Sequence, residues 1–280
     1  YLHYEMAAAA LRSGRHVVCE KPLVNSLAEA DALIEVAETS GCKLMPISQY
    51  RFSAGIQRLQ HLVAQGLAGT PYVASAETHW RRGSDYYAAP WRGRWDTERG
   101  GVLLGHTLHI HDLLCFVLGD VDSVFADVAT RVNPIETEDC AAVSLRMKTG
   151  ALVSSSSTLG SAREISRLRF CFEHFSVESS LSPYDPGAEP WQYIFADDSV
   201  EARAKEALAD FVLPAAGYTG QFEGLYDALE HGTPLPVSIL DARRALELVT
   251  ACYSSGRTGR AEKLPIGSDH PGYADWRPAP

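Results

Sequence analysis

The stretch Leu11-Arg12-Ser13-Gly14-Arg15-His16-Val17-Val18-Cys19-Glu20-Lys21-Pro22, with Ser26 and Glu29 just beyond it, decides the architecture of the first part of this 280-residue chain. An Ala- and Leu-rich helix over residues 5–13 is stopped by Gly14, which ends helices readily because it tolerates a left-handed backbone. Residues 15–20 then read as a short buried strand, broken by Lys21-Pro22. Ser26 and Glu29 have the spacing of a capping box, and Leu27, Ala30, Ile34 and Ala37 supply the apolar stripe of a helix closed by Gly41. Residues 43–49 follow as a strand and 52–65 as a helix. This alternation implies right-handed crossovers and a parallel sheet covered by helices.

After Gly69 the texture changes. Residues 70–80 read as a strand rich in β-branched and aromatic residues, and 81–99 as an aromatic, arginine-rich loop. Strands are predicted over 121–132, Cys140–Met147, 151–158, 168–175 and 191–195, with hairpin turn signals such as Lys148-Thr149-Gly150 between them. A helix is predicted over 222–231, and a final one begins at Asp241, taken as its cap. The tail over 269–280, with three prolines, is expected to pack loosely. The fold class is therefore α/β: a partial Rossmann-type parallel sheet in residues 1–69, then an α+β domain in 70–280 with an open, mainly antiparallel sheet. The last helix, near 241–256, is placed to pack back on the first domain.

A net charge of −10 argues against a nucleic-acid or anionic-membrane partner, both of which need a basic face. No apolar run approaches the roughly 18 residues of a membrane span, and six scattered cysteines without C-x-x-C spacing suggest neither zinc knuckle nor disulfide framework. A cytoplasmic protein is expected.

Gly100-Gly101-Val102-Leu103-Leu104-Gly105-His106-Thr107-Leu108-His109-Ile110-His111-Asp112 places three histidines and an aspartate within seven residues. As one α-helix over 102–118, it puts His106, His109 and Asp112 on one stripe and turns His111 away. Such a stripe suits the wall of a pocket better than a core. Zinc is not predicted, because two histidines one turn apart still need further ligands and His111 points elsewhere. Asp112 is assigned a structural bond to backbone or to an arginine. The serine run 154–157 is read as a solvated strand edge.

The segment from Leu11 to Pro22, with its Glu20-Lys21-Pro22 ending, resembles the Glu-Lys-Pro segment of the glucose-fructose oxidoreductase / inositol dehydrogenase (Gfo/Idh/MocA) family of NAD(P)-dependent enzymes. Four further stretches agree in the same order: Tyr50-Arg51-Phe52-Ser53, Pro90-Trp91-Arg92-Gly93-x-Trp95, residues 100–119, and Ala245-Leu246 with Arg257-Thr258-Gly259-Arg260 and Leu264-Pro265. The resemblance implies a Rossmann domain followed by a sheet domain that carries substrate and an oligomer interface, hence a homodimer or homotetramer. The family's Gly-rich phosphate turn has no counterpart in these residues. At about 30 residues per βαβ unit, some two units would precede Tyr1 in a complete domain.

The resemblance also implies the site. Oxidising a secondary alcohol needs a hydride acceptor, a base and a positive group beside the developing alkoxide. NAD or NADP is the expected acceptor, and a sugar, cyclitol or related polyol the expected partner. Lys21, His109 and, assisting, His106 are the catalytic candidates. His3, Glu20, Lys21, Pro22, Arg51, Trp91 and Arg92 are the candidates for cofactor contact. Tyr50 and Trp95, with Lys21, His106 and His109, are the candidates for substrate contact. Where the family has an aspartate this chain has Gly105, and Thr107 stands in the family's glycine position. Two other readings stay open: a lyase or glycosidase of the same family that recycles its cofactor, and a non-catalytic binding or scaffold descendant.

Overall fold

The computed structural model describes residues 2–278. The chain opens with α1 (His3–Arg12), β1 (Val17–Cys19), α2 (Leu27–Ser40) and β2 (Leu44–Pro46), a 3₁₀ turn (Gln49–Phe52) and α3 (Ala54–Ala64). β1 and β2 pair in parallel, Val17 opposite Leu44 and Cys19 opposite Pro46. Ser26 caps α2 by accepting the Glu29 amide at 3.1 Å, and Gly41 ends it in the left-handed region at φ 67°. Both ends of α2 thus follow from side-chain chemistry visible in the sequence.

Beyond Gly69 run β3 (Pro71–Arg81), α4 (Ser84–Tyr87), a π-helical turn (Leu103–Thr107), α5 (Leu108–Leu118) and β4 (Val121–Ala129). β5 (Cys140–Met147), β6 (Leu152–Thr158), β7 (Gly160–Phe172), β8 (Phe175–Glu178) and β9 (Gln192–Phe195) follow. The chain finishes with α6 (Asp198–Ala209), α7 (Gly217–Glu230), α8 (Ile239–Thr258) and β10 (Glu262–Lys263). The second sheet has the order β10-β4-β5-β6-β3-β7-β8-β9. All its pairs are antiparallel except β3 with β6, which closes a crossover. Residues alternate along each strand. Ala74, Ala76 and Trp80 of β3, Val143 and Leu145 of β5, and Leu168 and Phe170 of β7 are buried, whereas Val73, Phe125 and Leu152 are exposed on the opposite face. α5 and α8 cover the buried face, and the core runs without a break into the β1–β2 layer through Leu11, Leu27, Leu246 and Val249.

Several sequence expectations are corrected. β6 is a central strand, so its serines are not a solvated edge. Ser155 and Ser157 are buried and bond His111 (3.1 Å) and Thr107 (2.7 Å) on the covering helix. The cap of α8 is Ser238, with Asp241 as the third residue of a reciprocal capping box rather than the cap itself. Within the described part of the tail one residue is firmly anchored: Trp276 is wholly buried, donates to the Arg99 carbonyl at 2.7 Å, and accepts from Arg257 at its own carbonyl, while residues 279–280 lie outside the described residues. β4 stops at Ala129, the predicted strand at 168–175 is the end of a longer β7, and α6 lies where no helix was expected.

The helix at 102–118 is not a uniform α-helix either, because its first turn is π-wound. Its start is held by Glu138. The buried Glu138 carboxylate accepts from Gly101 N (3.0 and 3.1 Å), Leu103 N (3.0 Å) and the Tyr253 hydroxyl (2.9 Å), and its own carbonyl accepts from Val102 N (2.9 Å). A helix N-terminus presents unpaired amides and positive dipole, and this carboxylate satisfies both. The approach is so close that a Cβ on Gly101 would lie 1.7 Å from the Glu138 carbonyl oxygen, and one on Gly100 would lie 2.4 Å from the Tyr253 hydroxyl. At Gly105 a Cβ would meet nothing within 4 Å.

These spaces set opposite outcomes for one chemical change. Gly101→Ala is expected to destabilise the fold by about 3 kcal/mol, at the upper end for overpacking. Gly105→Ala is expected to stabilise it by up to about 1 kcal/mol, because alanine is the better helix former. Urea unfolding of the two variants checks both signs.

Candidate active site

Lys21 stands at the carboxyl end of β1, where ligands of open parallel sheets bind. The Lys21–Pro22 bond is cis, and His3 Nδ1 lies 2.8 Å from the Pro22 carbonyl. The Lys21 ammonium donates to the Gly105 carbonyl at 2.7 Å, joining the end of β1 to the π turn. Burial pulls the Lys21 pKa below its ordinary value; Glu20 and Glu98 oppose that shift, and the charge of Arg92 adds to it.

His106 and His109 flank this contact. Burial and the Lys21 charge lower the His109 pKa to about 3, so its imidazole is neutral at physiological pH. Its ring packs against Tyr50, centroids 4.7 Å apart. His106 is also held well below its ordinary value, by burial and then by Arg82, Lys21, Arg92 and His109. Its ring meets Trp80 edge-on at 5.2 Å, and its Nδ1 is buried without a hydrogen-bond partner. His111 points into the sheet, where burial lowers it to about 4.

The remaining predicted residues fall into two groups. Near Lys21 lie Glu20, whose carboxylate accepts the Lys21 amide (3.2 Å) and the Tyr218 hydroxyl (3.4 Å), and Arg92. The Arg92 guanidinium sits between the rings of Tyr86 (3.7 Å) and Trp91 (4.2 Å), bonds the Tyr86 hydroxyl and pairs with Glu98 at 3.2 Å. Trp91 itself is exposed. Arg51 and Trp95 are committed elsewhere. Arg51 is buried and donates twice to Asp112 (2.8 and 2.5 Å) with Asp241 at 3.4 Å, which spends its charge within the protein. Trp95 packs edge-on against Tyr253 (5.3 Å) and donates to the Glu136 carbonyl. Both side chains therefore support the framework around the site, Arg51 with its charge satisfied within the protein and Trp95 held against Tyr253 and Glu136. Asp112 takes the arginine partner expected of it.

Sequence reasoning missed Glu98, Trp80 and Arg82. Glu98 accepts the Gly93 amide, and burial raises its pKa. Arg82 lies over Trp80 (5.1 Å) and Tyr86 (5.2 Å) and pairs with Glu164 at 2.7 Å. Their loop carried the right residue types, but no spacing singled out which of them face the histidines.

A parallel α/β layer whose strand end meets a helix of the neighbouring sheet domain is the architecture of two-domain dinucleotide-binding oxidoreductases. Residues 1–48 match the model of the oxidoreductase family with an NAD-binding Rossmann fold, and residues 56–178 match the Gfo/Idh/MocA C-terminal domain. The chain belongs to the Gfo/Idh/MocA family. It is 32% identical over 155 residues to myo-inositol 2-dehydrogenase of Thermotoga maritima, covering 54% of this chain and 44% of that protein. It is 36% identical over 123 residues to 1,5-anhydro-D-fructose reductase of Ensifer adhaerens, covering 42% and 35%. The matched stretches thus span less than half of either relative. A WlbA dehydrogenase from Bordetella pertussis, solved with NADH and UDP-GlcNAcA, superposes with a TM-score of 0.80 at 25% identity, over 95% of this chain and 77% of that one.

The buried histidines fix how stability responds to acid. A folded-state pKa of about 4 for His111 and about 3 for His109, against about 6.5 unfolded, means the unfolded chain binds more protons below pH 6.5. Their contribution is present above that pH and is lost as the pH falls. Glu138, raised by burial to about 7, works the other way between about pH 4.5 and 7. With His106 added, three histidines outweigh one carboxyl, so stability is expected to fall by about 1–2 kcal/mol per pH unit between pH 6.5 and 5. Urea titrations at pH 7, 6 and 5 check this, and a flat profile rules it out.

Proposed function

We propose that this chain is the catalytic part of an NAD(P)-dependent oxidoreductase that moves a hydride between the nicotinamide and a secondary alcohol of a sugar, cyclitol or related polyol. The observation that carries the reading is the junction of Lys21, the Gly105 carbonyl and a neutral His109 at the end of β1. Family membership and the NAD-binding description of the matched Rossmann model support it.

The residues present fit the nicotinamide end of such a cofactor. A side chain at Gly105 would project into open space, and the Gly105 carbonyl accepts from Lys21. Glu20, Lys21, Pro22 and His3 would hold that end. NAD, when bound, supplies the acceptor for the hydride leaving the carbinol carbon. His109 is in the protonation state that accepts a proton, and takes the one released by the substrate hydroxyl. Lys21 donates to the alkoxide as charge develops on its oxygen. Tyr50 packs on the His109 ring and fixes its plane. The exposed face of the large sheet, with Val73, Phe125 and Leu152, is where we place pairing between copies of the chain.

Lys21→Met and His109→Gln are each expected to lower kcat/KM by about 10²–10⁴-fold in the full-length protein while NAD binding by titration calorimetry persists. Net NADH formation with a polyol supports the dehydrogenase. Turnover with no net NADH points to the family's cofactor-recycling lyases, and absence of NAD binding overturns the reading.

A further inference from the structure

Arg92 has a second side. Beyond it opens a cleft of about 610 Å³, bordered by Ser84, Arg92, Arg94, Asn133, Ile135 and Glu136. That volume falls within the range of small-molecule sites, roughly 300–1,000 Å³.

Its walls are bolted together rather than merely adjacent. The Gly93 carbonyl accepts from the amides of Glu136 (2.8 Å) and Thr137 (3.3 Å). Trp95 donates its backbone amide to the Glu136 carboxylate (3.1 Å) and its indole to the Glu136 carbonyl (2.9 Å). Gly93 has φ 68°, and a Cβ there would lie 2.6 Å from an Ile135 methyl, so this position needs glycine for both conformation and space.

The charges are uneven. Glu136 spends its carboxylate on the Trp95 amide, and Glu98, which pairs with Arg92 from behind, is pushed by burial toward its neutral form. Arg94 is exposed at the cleft and makes no side-chain hydrogen bond or ion pair among the described residues. The cleft therefore presents, on a preformed frame, the Arg94 guanidinium without a partner among the described residues beside Arg92, which is paired with Glu98. The Arg92 charge also acts on Lys21 and His106, which makes Arg92 the residue common to the cleft and the reaction site.

We propose that this cleft is a substrate subsite for an anionic oxygen group, phosphoryl or carboxylate, carried by the polyol away from the carbon that reacts. Arg94 is its specificity-determining residue, and Arg92 the wall it shares with the reaction site. The proposal rests on the polyol reading above.

Calorimetric titration of the protein, with and without NAD, against glucose, glucose 6-phosphate, glucose 1-phosphate and glucuronate tests it. At least one charged sugar is expected to bind about tenfold or more tightly than glucose, with an advantage that shrinks as salt is raised. Which charged sugar gains tells phosphoryl from carboxylate. Arg94→Gln is expected to abolish the advantage and Arg94→Lys to retain part of it, with thermal midpoints unchanged because the side chain is exposed. Equal binding of neutral and charged sugars, or an advantage that survives Arg94→Gln, overturns the subsite. The oxidoreductase reading fails separately: NADH formation with a neutral polyol would uphold it while the subsite falls.

Discussion

A single buried carboxylate organises this molecule. Glu138 comes from the segment just before β5, yet it holds the first amides of the helix that carries His106 and His109 and takes the hydroxyl of Tyr253 from α8. Three segments distant in sequence meet on one group. Burying this group costs several kcal/mol in desolvation, which raises its pKa to about 7 even though the donors and the helix dipole oppose that cost. Glycines at 100 and 101 are the steric condition for it, since any side chain at 101 would occupy the Glu138 carbonyl. The π turn begins at these anchored residues and carries the Gly105 carbonyl that accepts from Lys21.

A second buried ion pair works at the other end of the same helix. Arg51, from the 3₁₀ turn after β2, grips Asp112 with two nitrogens and lies 3.4 Å from Asp241 at the start of α8. The β1–β2 layer, the histidine helix and the last helix are therefore tied at two points, with His109 between them. Buried pairs of this kind are weak evidence for stability, but they fix register, because each partner left alone would be a costly unpaired charge. Lys21 comes from one layer and His109 from the other, so register between the layers sets their geometry.

Much of this was legible locally. The strand ending in Glu20-Lys21-Pro22, the Ser26 cap, the glycine stop at 41 and the turn of His111 away from the His106–His109 stripe all follow from near neighbours in sequence. What was not legible depends on partners far along the chain. Asp112 finds its arginine 61 residues earlier, and Arg51 could be read as a cofactor ligand only because that partner was out of sight. The Ser154–157 run looked solvent-facing because nothing local marks β6 as central between β5 and β3. Trp276 in a proline-bearing tail looked loose because its acceptor, the Arg99 carbonyl, is 177 residues away. The Ser238 cap is the exception. Its signal, a serine three residues before Asp241, was local and was passed over in favour of the aspartate.

Gly105 shows how the framework and the chemistry are linked. A glycine inside a helix costs roughly 0.5–1 kcal/mol relative to alanine, and no neighbour here demands it, because a Cβ would touch nothing within 4 Å. The first turn can tolerate that loss because Glu138 and Tyr253 anchor it independently of helix propensity. What the missing side chain leaves is open space beside a carbonyl that accepts from the Lys21 ammonium. An aspartate at this position, which the resemblance in sequence implies for the family, would set a fixed negative charge near Lys21. Without it, the positive end of the site is left to Lys21, Arg92 and Arg82, the three charges that act on His106. The substitution moves the electrostatic balance of the pocket toward ligands that bring negative charge with them, which is the same direction in which Arg94 extends it.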